Sequence, residues 1–222
     1  MKIGIMQPYF LPYIGYFQLI DSVDVYVNLD HVSFMKRSYM VRNVLKKDTK
    51  INLNVHNASQ NKKCNETLVN LNDNYISKYK KTIHHLYSKS LNYNTITDEI
   101  INPCFVNKEI TISEFNFDLI RKISNYLLID TIFVNSSEGL TNKKKGEGLI
   151  EITKSLEGDV YVNAIGGQSL YQKEIFEKYD VELKFVKMGN VKFENPYVSI
   201  LDHLYNLPKD KIIQELKNYI LI

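Results

Sequence analysis

Lys2-Ile-Gly-Ile-Met6, Gln7-Pro-Tyr-Phe-Leu-Pro-Tyr13, Ile14-Gly-Tyr-Phe-Gln-Leu-Ile20 and Val23-Asp-Val-Tyr-Val-Asn-Leu29 are the segments whose reading decides the fold. The apolar run Ile3–Met6 predicts a buried strand. Two prolines punctuate the turn that follows. Pro12 suits a first helical position, where its missing N–H would be unpaired anyway. Tyr13, Tyr16, Phe17 and Ile20 then recur at helical spacing, which predicts a helix over 13–20. Val23–Leu29 reads as a second strand ending at Asp30. A strand–helix–strand unit of this length folds as a right-handed crossover in a parallel sheet. Its turn places free helix N–H groups beyond the strand end, where phosphate or carboxylate binds. Gln7, Tyr9, Tyr13 and Gly15 crowd that turn, although an aromatic stripe is also what plain core packing needs.

Outward from this unit, residues 33–55 read as a hairpin or long excursion, with Ile51–Val55 as an alternating strand. Helices are predicted over 73–90, 95–102 and 111–128, and Thr131–Val134 resumes the sheet. A helix over 146–156, a strand over 159–162, a helix over 168–178 and a strand over 181–186 follow. Helices over 197–205 and 209–220 end the pattern. The expected fold is α/β: a Rossmann-like parallel sheet with flanking helices, in one domain over 1–222, with 73–128 as a helical insertion covering one edge.

Hydrophobic residues at 44% and charged residues at 24% are ordinary for a globular chain. A formal charge of +3 is too small to argue for nucleic acid, and the longest basic run is Lys143–Lys145. Sixteen tyrosines without tryptophan, beside abundant Asn, Lys and Ile, match the usage of an AT-rich genome. Some of the tyrosine excess therefore carries no functional message. Cys64 and Cys104 lack metal-ligand spacing and read as reduced thiols. His84-His85 lacks a partner ligand and His56 is isolated, so no metal site is expected. No apolar run approaches a membrane span and no leader pattern opens the chain, so a cytoplasmic protein is expected.

In a parallel sheet the loops after the strands gather at one edge. Here those loops are Gln7–Tyr13, Asp30–Asn43, Asn135–Lys145 and Asn163–Tyr171. Asp30, just beyond a strand and beside His31, can act as a general base or orient an amine, and His31 can share either role. Asp is equally common as a cap or turn residue. If 34–42 is extended, Phe34, Lys36, Ser38, Met40 and Arg42 share a face, with Arg37 and Tyr39 opposite. Lys36 and Arg42 could then hold a diphosphate while an aromatic stacks on its base; a solvated basic hairpin is the plain alternative. Gly166-Gly167 follows a strand and precedes a predicted helix, so its amides could bind an oxyanion, though any sharp turn would use the pair. Asn163, Gln168 and Tyr171 stand around it. Asp202 and Asn206 share a helix face, with Ser199 one turn earlier.

These blocks carry a resemblance. Gln7–Ile20, Asp30–Asn43, Glu147-Gly-Leu149, Tyr161–Tyr171 and Ser199–Asn206 together resemble the WbqC-like proteins of bacterial O-antigen and surface-polysaccharide gene clusters. The resemblance runs from end to end of the chain. Val41 departs from it where many relatives carry Asn, and His203 where they carry an apolar residue. It implies transfer of a glycyl or other acyl group to the amine of a nucleotide-linked deoxyamino sugar. In that reading Lys36, Arg37 and Arg42 hold the pyrophosphate, and Tyr9 or Tyr13 packs on the base or sugar. Asp30 or His31 deprotonates the amine, and the Gly166-Gly167 amides stabilise the oxyanion. Gln7, Gly15, Asn43, Asn163 and Tyr171 complete the substrate site. The acyl donor is open among acyl-CoA, an acyl carrier and an aminoacyl donor. Phe10–Tyr16 also resembles the phosphate-binding turn of HIGH-type nucleotidyltransferases, with tyrosines in place of both histidines. That likeness is one of fold, and it keeps an ATP-dependent ligase as an alternative, beside a non-catalytic scaffold of a polysaccharide assembly complex.

Overall fold

The computed structural model describes residues 1–59, 61–137, 139–140 and 145–222. β1 (Lys2–Met6), α1 (Ile14–Asp21) and β2 (Val25–Asn28) form the expected opening crossover. β1 and β2 pair in parallel from Ile3 with Val25 to Met6 with Asn28. There follow β3 (Arg42–Val44), β4 (Lys50–Asn52), α2 (Asp73–Tyr87), α3 (Tyr93–Ile96), α4 (Asn102–Cys104), α5 (Ile112–Tyr126) and β5 (Ile132–Asn135). The chain continues through α6 (Lys145–Ser155), β6 (Val160–Ala164), α7 (Lys173–Glu177), β7 (Glu182–Met188), α8 (Ile200–Asn206), α9 (Lys209–Leu216) and β8 (Tyr219–Leu221).

The main sheet has the order β5-β2-β1-β6-β7-β8, and β3 pairs with β4 in a separate hairpin. Every pairing in the main sheet is parallel except β7 with β8. This is the expected Rossmann-like α/β arrangement. The chain builds from β1 outward to β2 and β5, then returns to lay β6 and β7 on the other side of β1. That reversal opens a crevice between β1 and β6 at the carboxyl ends of the strands, where doubly wound sheets receive ligands.

Strand alternation sends the two faces of β1 and β2 into different cores. Ile3, Ile5, Val25 and Val27 pack with Leu149 and Ile152 of α6 and Phe176 of α7. Tyr26 and Val162 enter a larger core on the other face, with Phe17 of α1, Leu119 of α5, Leu204 of α8 and Leu216 of α9. Each such side chain contributes about 1.5–3 kcal/mol by leaving water. α1 lies close on this face because position 4 is glycine: a Cβ there would stand 3.0 Å from Leu19 Cδ2. Buried Gln18 of α1 donates to the carbonyls of Glu215 (2.9 Å) and Asn218 (3.1 Å), which fixes the C-terminal segment against it. α5 begins where Thr111-Ile-Ser-Glu114 forms a capping box: Thr111 Oγ1 accepts from the Glu114 amide and Glu114 Oε2 from the Thr111 amide.

Several elements differ from the sequence reading. The segment 34–42 is not extended; it turns over 36–41, burying Phe34 and Met40 while Lys36, Arg37 and Arg42 stay exposed. The predicted helix over 168–178 is instead a tight turn, Ile165–Leu170, followed by α7. Gly166-Gly167 supplies little helix propensity, and Phe176 is the one residue of α7 that is buried. The last predicted helix stops at Leu216, and Tyr219–Leu221 returns as an antiparallel edge strand on β7. Residues 141–144, which include most of the Lys143–Lys145 run, lie outside the described residues.

Candidate functional site

The prolines at 8 and 12 remove two backbone donors, so the turn from Gln7 to Pro12 depends on how its carbonyls are satisfied. Each of the following has a partner. Tyr16 Oη donates to the Gln7 carbonyl (2.7 Å). Asn116 Nδ2, fully buried on α5, donates to those of Pro8 and Met40 (both 2.9 Å). Asn43 Nδ2 on β3 donates to those of Phe10 (3.0 Å) and Leu11 (2.7 Å), and the Ile200 amide of α8 to that of Pro12 (2.8 Å). The Phe10 amide donates to the Tyr39 carbonyl (2.8 Å), joining the turn to the loop after β2. Leu11 is held at φ 45°, a strained geometry for a branched side chain. The turn is therefore preset, with its carbonyls facing into the protein.

Above it lies a cavity of about 590 Å³ in the crevice between β1 and β6. Gln7, Tyr9, Tyr13, Asn43, Asn163, Gly166, Gly167 and Tyr171, eight of the predicted site residues, line it. Sequence reasoning missed Tyr16, Tyr161 and Tyr197 as lining residues, and it had turned Tyr39 away from the basic face. One signal was available: three of the five prolines precede a tyrosine, at Pro8-Tyr9, Pro12-Tyr13 and Pro196-Tyr197, and all three tyrosines meet here. Their rings pair across the cavity. Tyr9 lies 5.7 Å from Tyr39 and 5.5 Å from Tyr16, and Tyr13 lies 6.2 Å from Tyr197, between centroids. Tyr39, Tyr197 and Leu170 are exposed and form the mouth.

None of the described residues lining the cavity is charged. Burial raises the pKa of Tyr9 and Tyr13, with neighbouring tyrosines adding to it, so their hydroxyls stay neutral. Buried Tyr26 stands behind this wall. Tyr26 hydrogen-bonds Tyr16 across 2.5 Å; the Tyr16 proton is committed to the Gln7 carbonyl, so Tyr26 is the donor. Burial raises the pKa of Tyr161 and Tyr171 too, and their rings meet edge-on at 6.2 Å between centroids.

The remaining predicted residues sit elsewhere. Gly15 is covered by the Tyr13 ring, whose Cε2 would lie 2.4 Å from a Cβ at that position. Lys36, Arg37 and Arg42 are exposed and do not line the cavity. Asn43 does line it, yet both its amide protons hold the turn, and its Oδ1 accepts from the Val44 amide (2.8 Å). Asp30 is 4% exposed and fastens the loop after β2 to the loop after β5. Its Oδ1 accepts from Ser136 Oγ and the Ser137 amide (both 2.8 Å), and its Oδ2 from Ser137 Oγ. His31 reaches the same serine, with Nδ1 2.7 Å from Ser136 Oγ. Its side chain is about a quarter exposed, and its pKa is lowered by burial and by Lys63, against an opposing pull from Asp30. Both residues follow Leu29, which lines the cavity, but do not line it themselves.

The uncharacterized protein Rv1507c of Mycobacterium tuberculosis is 26% identical over 219 residues, covering 93% of this chain and 94% of its own. No solved structure gives a significant match. No helix among the described residues is long and apolar enough to cross a membrane. The WbqC-like protein family model matches residues 7–214, from the opening turn to α9, and the chain belongs to that family.

Proposed function

We propose that the cavity receives the glycosyl end of a nucleotide-linked deoxyamino sugar and that the protein transfers an acyl or aminoacyl group to its amine. One observation carries this reading: a cavity at the switch point of the sheet, walled by tyrosines and amides, with no charged side chain among the described residues that line it. Aromatic faces pack on sugar C–H surfaces or a nucleobase. Gln7, Asn163 and the tyrosine hydroxyls supply neutral donors and acceptors for ring hydroxyls. The backbone amides of the Gly166-Gly167 turn at the cavity wall are the candidates for the tetrahedral oxyanion, each such donor being worth roughly 3 kcal/mol. Asp30 is engaged by three donors, which favours His31 over Asp30 as the base. Exposed Lys36, Arg37 and Arg42 are left to meet a diphosphate outside the cavity.

Calorimetry with a panel of dTDP- and UDP-aminosugars tests the reading. Binding that is lost in Tyr9→Ala and Tyr13→Ala supports it; no binding across the panel sinks it. The ATP-dependent ligase alternative fares worse, because tyrosines stay uncharged where that chemistry places histidines and no described lining residue is a cation. A scaffold role draws on the exposed Tyr39, Tyr197 and Leu170 at the mouth. It requires a stoichiometric protein partner on purification, and surface-glycan synthesis that survives His31→Gln.

A further inference from the structure

The hydroxyl of Ser136 is buried, 1% exposed, between two partners that compete for its single proton. Asp30 Oδ1 lies 2.8 Å away and His31 Nδ1 2.7 Å away. An ionised carboxylate has no proton to give, and two oxygens at that distance without a proton between them repel. The serine proton therefore lies on the line to Asp30. The contact with His31 also needs a proton, and only the imidazole can supply it. The third contact fits: the Asp30 amide donates to the same Oγ (3.2 Å), so its two lone pairs meet two N–H groups. From this proton count we infer that Ser136 is a positioning residue that locks His31 in the Nδ1–H tautomer, presenting the bare Nε2 lone pair as the base.

The inference rests on the proposed transfer only for the use made of that lone pair. When Nε2 takes a proton from the attacking amine, both ring nitrogens carry protons and Nδ1–H keeps its bond to Ser136. The pair needs no rearrangement, and Asp30 favours the imidazolium through the serine. Among the described residues, the charged groups acting on the ring are Asp30, its neighbour in sequence, and Lys63, on the segment bridged to Ser33. Lys63 and burial oppose the charged ring, so Nε2 stays free to lower pH than in an ordinary histidine.

The test is the tautomer itself, read by long-range ¹H–¹⁵N spectra of protein labelled in its histidines, with the His31 signals identified by their loss in His31→Gln. The expected wild-type pattern is a protonated Nδ1 and an unprotonated Nε2 near neutral pH. Ser136→Ala moves the ring toward Nε2–H, and Ser136→Thr, which keeps the hydroxyl, restores Nδ1–H. A wild-type Nε2–H tautomer overturns the inference even if Ser136→Ala fails to fold, and so does a folded Ser136→Ala with an unchanged tautomer. In a turnover assay Ser136→Ala lowers kcat roughly 10²-fold at unchanged KM, the low end of what a positioned base supplies. The expected tautomer with no turnover on any aminosugar leaves this inference standing and removes the proposed reaction.

Discussion

Gly15→Ala separates the role of the opening turn in binding from its role in folding. Inside a helix this change normally stabilises by up to about 1 kcal/mol, and Gly15 is the second residue of α1. Here the new Cβ would stand 2.4 Å from Tyr13 Cε2, 2.7 Å from Cζ and 2.8 Å from Oη. Carbon contacts become comfortable near 3.5 Å, so the ring must move by about 1 Å or swing away. Tyr13 can do so, because it is half-buried and its hydroxyl donates to no protein acceptor among the described residues. Its movement loses the ring contact with Tyr197, at 6.2 Å between centroids, worth about 0.5–1.5 kcal/mol. The two terms nearly cancel. The melting temperature should stay within about 4 °C of wild type, since 1 kcal/mol moves a chain of this size by roughly 2–4 °C. Affinity for an aminosugar nucleotide should fall tenfold or more, because a wall of the cavity has shifted. Differential scanning calorimetry and titration calorimetry read the two effects separately. A variant that binds as wild type, or one that loses much more stability than this, would refute the assignment of Tyr13 to the binding wall.

Asn43→Ala should act in the opposite way, on folding first. It strips the donors from the Phe10 and Leu11 carbonyls inside the protein, at a cost of roughly 3 kcal/mol, and a melting-temperature loss of about 10 °C is expected. His203 has its pKa lowered to about 4 by burial, so the unfolded chain binds a proton there that the folded one refuses. Stability from this group is complete above the ordinary histidine pKa and is lost as pH falls toward 4, by about 3 kcal/mol. Denaturant unfolding across that window should show a shallower acid loss in His203→Leu; parallel curves would contradict the reasoning. Burial pushes the thiols of Cys64 and Cys104 up to about 12 and about 11, so a thiol reagent at mildly alkaline pH should label both slowly in the native protein and fast in denaturant.

How much of this was legible in the sequence follows from how local each feature is. β1, α1 and β2 were legible because strand runs and helical spacing are written within a few residues. The edge that holds the cavity was legible too, since parallel strands bring their following loops together. Tyr197 was not, because its segment reaches the opening turn through long-range contacts, the Ile200 amide on the Pro12 carbonyl and the Tyr197 ring on Tyr13, across nearly the whole chain. Asp30 is a similar case: its partners Ser136 and Ser137 lie more than a hundred residues away, and nothing local distinguishes a clamped carboxylate from a free one. The alternation over 34–42 misled because Phe34 and Met40 are buried by a turn, where period two has no meaning.

The resemblance to a family adds information of another kind, and the opening turn shows its limit. Gln7, Tyr9 and Tyr13 keep side chains on the cavity, whereas Asn43, in a block that carries the same resemblance, has its amide committed to the carbonyls beneath them. Gly15 likewise lies beneath the Tyr13 ring and does not itself line the cavity. A shared motif marks residues that preset a site as strongly as residues that touch its ligand. Asn43→Ala and Gly15→Ala tell them apart, because the first removes donors on which folding depends and the second only redirects a ring.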